Sequence, residues 1–325
     1  MKNAVIFATG SYLPETPVPN EKLTRFPPSS LGRIVEKTGI LSRRIAPDEA
    51  CTSDLALRAA RRCLQKIAFP AEGLQGIVLS TSSPDRMQPA TATRVQHELG
   101  ATNAFAFDIN SVCSGSTFGI CMADALIKSG KFENILFIAS EMYSKILHKQ
   151  DFCTFPLFGD GAGAILFGAA DSDGGVLHSC LRTDGSNSDA VCVPAGGTML
   201  PFERLNGPRM AYFKMNGPVV FEFATRKGPE IIVQLLEEAR VALEDINWFI
   251  THQANINIIK TIAARLGVSQ EKFIVNLDRY ANTASASVLV ALDEAISGRV
   301  IRAGDLVVTC AFGGGLSWGA NLIRV

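Results

Sequence analysis

The sequence predicts an α/β protein in which a mixed or parallel sheet is covered by helices on both faces and the whole unit is built twice. Two observations carry this expectation. Short apolar runs that suit buried strands alternate with helical segments through the first 140 residues. The second observation is an internal echo: Asn134-Ile-Leu-Phe-Ile-Ala-Ser followed by Phe158-Gly-Asp-Gly-Ala-Gly-Ala-Ile-Leu-Phe parallels Asp305-Leu-Val-Val-Thr-Cys followed by Phe312-Gly-Gly-Gly-Leu-Ser-Trp-Gly-Ala-Asn-Leu-Ile. In both, a buried strand passes through a Phe-Gly turn into another strand. A duplicated α/β unit is the economical reading. The polar, glycine-rich stretch Asp171-Ser-Asp-Gly-Gly175 divides an N-terminal half, 1–172, from a C-terminal half, 173–325.

Taken in order, Ala4 to Thr9 reads as a buried strand, and five prolines between 14 and 28 make the next segment a loop. Leu31 to Thr38 is a helix stopped by Gly39. Ser53 to Ile67 is a stronger one with Ser53 as its N-cap. Leu74 to Thr81 is a strand, Thr91 to Leu99 a helix ended by Gly100, and Ala104 to Ile109 a strand. Phe118 to Ile127 is a buried helix and Asn134 to Ser140 a buried strand. In the second half, Val176 to Leu181 is a strand, and Asp184 to Met210 is irregular and long enough to suggest part of a binding site. Phe221 to Leu243 is a long helix, Trp248 to Thr251 a strand, Asn255 to Leu266 a helix, and Phe273 to Asn276 a strand. Thr283 to Ile296 is a helix, and Asp305 to Cys310 and Ser317 to Ile323 are the last strands.

Composition narrows the function classes. The 325 residues are 47% hydrophobic and carry 31 basic and 31 acidic side chains, so no global charge excess points to nucleic acid or a membrane surface. No apolar run reaches transmembrane length, and the apolar run near Met1 is too short for a signal peptide. The eight cysteines stand singly without a CxxC pair, which argues against a zinc site or a disulfide scaffold and for a reducing, cytoplasmic location. Gly159-Asp-Gly-Ala-Gly163 invites a dinucleotide reading. It fails because the residues after it are strand-like, whereas the phosphate fingerprint needs a helix N-terminus there. No metal and no resident cofactor is expected.

The chemistry-bearing residues sit where strands end, and in such sheets ligands gather beyond the carboxyl ends of strands. Cys113 lies where the 104–109 strand gives way to a helix, a position whose positive end favours thiolate and lowers the pKa of a nucleophile. The alternative for Cys113 is a small buried hydrophobe. His252 follows the 248–251 strand, with a structural histidine as its alternative; Asn282 precedes a helix, with a turn or N-cap role as its alternative. Gly313 to Gly315 is a tight turn or a close-approach backbone donor. Together they supply a nucleophile, two hydrogen-bonding groups and an amide donor.

These residues give the sequence a specific resemblance. Cys113 in its helix-opening context, Phe158-Gly-Asp-Gly-Ala-Gly163, Phe213-Lys-Met-Asn-Gly217, His252-Gln-Ala-Asn255, Asn282-Thr283 and Phe312-Gly-Gly-Gly-Leu-Ser-Trp-Gly319 occur in the order of the β-ketoacyl-acyl-carrier-protein synthase III family, decarboxylating condensing enzymes of the thiolase superfamily. The resemblance implies a thiolase-like five-layered αβαβα fold from two related halves, a homodimer, and an acyltransferase. Its substrates would be thioesters of coenzyme A or phosphopantetheine: an acyl-CoA or acyl carrier protein (ACP) donor and a malonyl thioester, with the carrier protein as a partner. By similarity Cys113 accepts the acyl group, His252 and Asn282 hydrogen-bond the malonyl thioester oxygen, and the Cys113 and Gly314 amides form an oxyanion hole. Thr38, Gly217, Phe221, Ala254, Asn255 and Ile258 match positions lining the pantetheine tunnel.

The departures cluster at that tunnel. Arg33 replaces a tryptophan that stacks on adenine, and Lys37 a nearby arginine. Gln88 replaces a phenylalanine that limits acyl length, and Phe152 and Asn257 replace arginines. Tyr280-Ala281 stands for the usual His-Gly before Asn-Thr. These changes suggest a specialised member, as in secondary metabolism. Other activities weighed on this fold and site are transfer of the acyl group to an oxygen or nitrogen acceptor without decarboxylation, a cysteine hydrolase, and a non-catalytic subunit of a heterodimer.

Overall fold

The computed structural model describes residues 2–325. Among the described residues, thirteen strands and eight helices succeed one another along the chain. The strands are β1 (Asn3–Tyr12), β2 (Pro17–Pro19), β3 (Ser42–Arg44), β4 (Gly76–Ser80), β5 (Phe105–Ile109), β6 (Asn134–Glu141), β7 (Gly161–Ala170), β8 (Gly175–Thr183), β9 (Val191–Cys192), β10 (Lys214–Met215), β11 (Trp248–Thr251), β12 (Leu306–Gly313) and β13 (Ser317–Arg324). The helices are α1 (Pro28–Thr38), α2 (Thr52–Gln65), α3 (Thr91–Leu99), α4 (Gly115–Lys128), α5 (Gly217–Ala239), α6 (Ile256–Leu266), α7 (Leu277–Tyr280) and α8 (Ala286–Ser297).

The duplication is written in the sheets. Of the two large sheets, one has the order β1-β7-β6-β4-β5 and the other β8-β13-β12-β11, while β2 with β3 and β9 with β10 form two-stranded ribbons. In each, the first two pairings are antiparallel and the next is parallel. The first sheet adds β5 parallel to β4; at the same place in the second, a parallel bridge joins Phe249 to Phe273. The β6–β7 hairpin thus corresponds to β12–β13, the two stretches whose sequences echo each other.

Helix composition sets the layers. Helices α4 and α8 lie between the sheets, touching strands of both, whereas α2 and α3 cover the outer face of the first sheet and α5 with α6 the outer face of the second. The central position explains why α8, Ala-Ser-Val-Leu-Val-Ala-Leu-Asp-Glu-Ala-Ile-Ser, is buried almost all round. By contrast α2 keeps Arg58, Arg61 and Arg62 on its solvent side. With both faces covered, β6 is buried along all eight residues, and its apolar run 135–139 fits that position. Gly119 of α4 lies flat against the Phe137 ring of β6, so that helix and sheet close without a gap. Burying a side chain of that size contributes roughly 1.5–3 kcal/mol.

Four expectations are corrected. The N-cap of α2 is Cys51, whose backbone N–H donates to Asp54 at 2.9 Å in a capping box, and not Ser53. Helix α5 starts four residues earlier than expected, because Asn216 caps Val219 N and Pro218 is tolerated in the first turn; it ends at Ala239, where Arg240 turns left-handed at φ 55°. Residues 273–276 make only a bridge and not a strand. Helix α8 begins at Ala286 because Thr283 to Ser285 form a preceding turn, with Ala284 at φ 47°.

Candidate active site

The parallel strands of both sheets deliver their carboxyl ends to one region. From β5, Val112 takes a left-handed φ of 50°, unusual for a β-branched residue, and Cys113 follows in a single 3-10 turn, Val112–Ser114, that runs into α4. The turn is tied to the end of β12–β13 by Ser114 Oγ and Ser317 Oγ at 2.8 Å. Gly313 packs flush on it: a Cβ there would stand 2.6 Å from Cys113 N, so only glycine allows this approach. Gly314 lies in the same turn, against the Val191 carbonyl and Val112.

The thiol is 6% exposed. Burial pushes its pKa up, the Glu141 carboxylate adds to the rise, and a hydrogen bond from the Tyr143 hydroxyl draws it part of the way back. The direction is opposite to the expectation of a lowered pKa, because the loss of hydration at a closed site disfavours the charged thiolate. The resting cysteine is therefore a thiol.

His252, at the end of β11, is 2% exposed. Burial alone brings its pKa down to about 3, so the imidazole is neutral. Its Nδ1 lies 2.8 Å from Ser287 Oγ, which also accepts from Gln253 N at 3.3 Å. This contact fixes the ring's orientation; the tautomer that serves as a donor toward a substrate is the one in which Ser287 donates to Nδ1 and the ring hydrogen sits on Nε2. The ring meets Phe312 edge-on at 5.5 Å, beside Gly313. Gln253 itself is structural: its amide donates to the Thr251 and Ile274 carbonyls and accepts from Asn276 N, tying 273–276 to β11.

Asn282 reaches the same region from the other side. Its amide oxygen accepts from Ala284 N at 2.8 Å, which leaves the NH2 as the end of the amide able to donate elsewhere, and its backbone bridges to Phe158. Phe158 stacks on Tyr143 at 4.7 Å, and Tyr143 touches Cys113. Cys113, His252, Asn282 and the Gly313–Gly315 turn are thereby joined by continuous contacts.

Three residues that sequence reasoning missed complete the site. Glu141, at the buried end of β6, accepts from Ser82 N, from the Ser82 and Ser83 hydroxyls and from Ser285 Oγ, at 2.6 to 3.2 Å. It thereby pins the loop after β4 to the start of α8. Burial raises its pKa while these donors hold it down. Ser82 Oγ also pairs with Tyr143 at 2.9 Å. The signal for this position is a carboxylate at the end of a buried strand whose middle, 135–139, is wholly apolar.

A cleft of 1330 Å³ opens beside Asn282 and Phe158. All six residues matched to the tunnel, Thr38, Gly217, Phe221, Ala254, Asn255 and Ile258, line it, as do the departures Arg33, Lys37, Phe152 and Asn257. Asn255 doubles as the N-cap of α6, accepting from Asn257 N at 2.8 Å. Gln88 is not in the cleft but exposed on the loop before α3. Gly161 opens β7 directly, so the 159–163 glycines adjoin a strand; buried Asp160 accepts from Ala46 N, Ser144 N and Ser144 Oγ.

A duplicated αβαβα body with polar groups gathered at strand ends beside a deep cleft defines the class of thiolase-like synthases. Family models described as 3-oxoacyl-acyl-carrier-protein (ACP) synthase III and its C-terminal part match residues 107–185 and 236–325. Over 325 residues, covering both chains completely, the sequence is 41% identical to beta-ketoacyl-acyl-carrier-protein synthase III of Clostridium perfringens (strain SM101 / Type A). It is 42% identical over 326 residues to the same enzyme of Ehrlichia canis (strain Jake), again with complete coverage of both. The crystal structure of 3-oxoacyl-acyl-carrier-protein synthase III from Aquifex aeolicus VF5 superimposes with a TM-score of 0.91 at 36% identity, over 99% of this chain and 100% of that one. The chain belongs to the beta-ketoacyl-acyl-carrier-protein synthase III family, and it is a condensing enzyme.

Proposed function

We propose that the protein condenses an acyl group carried on Cys113 with a malonyl thioester, releasing carbon dioxide and a β-ketoacyl thioester. In the first stage the Cys113 sulfur attacks the donor thioester, the amides of Cys113 and Gly314 receive the developing oxyanion, and the thiol proton leaves with the departing thiol. In the second, loss of carbon dioxide from the malonyl thioester generates the carbanion, so no carboxylate is needed as a base. The carbanion attacks the acyl-enzyme carbonyl and the Cys113 sulfur departs. His252 Nε2–H and the Asn282 NH2 stabilise the enolate oxygen, each contributing roughly 3 kcal/mol in a dry site.

The observation that carries this reading is the neutral His252, whose Nδ1 is engaged by Ser287. Such a ring donates a hydrogen bond without bringing a charge, which is what an enolate needs and a thiol-activating base does not. Transfer to an oxygen or nitrogen acceptor is not favoured, because the relatives at about 41% identity over the whole chain are synthases. Acyl-enzyme mixed with labelled malonyl thioester tests the choice: carbon dioxide release matching product is expected, and transfer without it contradicts the proposal.

The donor is proposed to be an acyl-CoA and the extender a malonyl-ACP, with Arg33, Lys37 and Lys214 at the cleft receiving phosphates. The departures at 33, 37, 152 and 257 belong to this delivery path and not to the chemistry. A homodimer is supported by β5, an edge strand whose Phe105, Phe107 and Ile109 are only half-buried. A reducing, cytoplasmic setting is supported by eight free cysteines. No helix of the described residues is long and apolar enough to cross a membrane.

A further inference from the structure

On the far side of the second sheet, His178 and Cys180 of β8 project from the same strand face toward Glu238 in the last turn of α5. Residues two apart on a strand share a face, which is why the pair converges. The imidazole Nε2 lies 2.9 Å and the Cys180 Sγ 3.2 Å from Glu238 Oε2, and the three ligand atoms all fall within 4.8 Å of one another. The second carboxylate oxygen, Oε1, accepts from Gln234 Nε2 at 2.7 Å, one helical turn earlier. Cys180 is buried, His178 half-buried and Glu238 exposed. The cluster thus has a closed inner wall and one side open to solvent.

We propose that His178, Cys180 and Glu238 form a zinc-binding site with water in the fourth position. One nitrogen, one sulfur and one carboxylate oxygen are the donors of a borderline-soft, tetrahedral ion, and an all-oxygen ion such as magnesium or calcium has no use for the thiolate. Gln234 fixes the carboxylate in the way that outer hydrogen bonds orient metal ligands. Binding releases the Cys180 proton to solvent and puts the sulfur, the imidazole nitrogen and the carboxylate oxygen on one ion. The sequence argued against zinc because its cysteines are unpaired. The structure instead unites a His-x-Cys strand pair with a helix residue 58 positions away. The bound ion clamps the edge strand β8 to the end of α5, the helix whose first turns, at Gly217 and Phe221, line the cleft.

The test uses full-length protein stripped of metal, titrated with zinc against a chromophoric chelator and with cobalt as an optical probe. One equivalent of zinc per chain and a sulfur-to-cobalt charge-transfer band are expected. Cys180→Ser should remove the band, His178→Ala should weaken zinc binding at least tenfold, and Gln234→Ala about tenfold. Zinc should raise the melting temperature of the wild type by more than that of His178→Ala at the same zinc concentration, a readout that does not depend on the enzymatic reaction. The proposal is overturned if the band persists in Cys180→Ser, or if His178→Ala binds zinc as the wild type does. Loss of the band in Cys113→Ser with its retention in Cys180→Ser would assign the metal to the catalytic cleft and equally overturn it.

Discussion

Ser287 Oγ lies 2.8 Å from His252 Nδ1, and this contact holds the imidazole in its plane at the end of β11. Replacing Ser287 with alanine releases the ring from that contact. Decarboxylation is expected to fall about tenfold, the worth of one orienting hydrogen bond, while acylation of Cys113 stays at the wild-type rate. Single-turnover measurement of each half-reaction separates the two. An equal loss in both would make His252 a base for the thiol.

Because burial holds the His252 pKa near 3, the decarboxylation step should show no limb near pH 6.5. Stability behaves differently. The folded pKa lies below the unfolded value of 6.5, so between these two values the unfolded chain binds more protons. His252 therefore contributes its full stability above pH 6.5 and loses it as the pH falls toward about 3, at up to about 1.4 kcal/mol per pH unit. Urea midpoints across that window should drop less steeply in His252→Asn than in the wild type; parallel curves would contradict the assignment.

Tyr143 stacks on Phe158 and meets Phe213 edge-on at 5.2 Å, so Tyr143→Phe retains the packing and removes the hydroxyl beside Cys113 together with its 2.9 Å pairing to Ser82 Oγ. That hydroxyl favours the thiolate. Alkylation of Cys113 by iodoacetamide at neutral pH should slow about fivefold. An unchanged rate would show that the phenol does not reach the sulfur.

Gly313→Ala puts a methyl group 2.6 Å from Cys113 N. The turn must move, carrying the Gly314 amide with it. A loss of about a hundredfold or more in acylation is expected, with little change in cleft binding of a thioester analogue. Wild-type acylation in this variant would remove the turn from the oxyanion hole.

Much of this arrangement was legible in the sequence. Cys113 and His252 each follow an apolar strand, the Gly313–Gly315 turn ends another, and the Phe-Gly echo between 158 and 312 exposed the duplication before any contact was known. The Glu141, Ser82 and Tyr143 network was not legible, because its members come from the ends of β4 and β6 and the start of α8 and meet only through sheet pairing. The state of the thiol was misread for a related reason. A helix end is visible in sequence, whereas the burial of the thiol comes from Tyr143 and the Gly313 turn, 30 and 200 positions away. Local backbone chemistry hid the start of α5, where Pro218 looks like a breaker but occupies a first-turn position that needs no N–H.

The central claim is that Cys113 carries the acyl group and that carbon dioxide loss delivers its partner. Intact-protein mass spectrometry on the enzyme exposed to an acyl-CoA, and then to malonyl-ACP, tests it most directly. One acyl adduct on Cys113, absent from Cys113→Ala and discharged by malonyl-ACP with an equal release of carbon dioxide, is the predicted result. An adduct on another residue, or discharge by water at the same rate without malonyl-ACP, would contradict it.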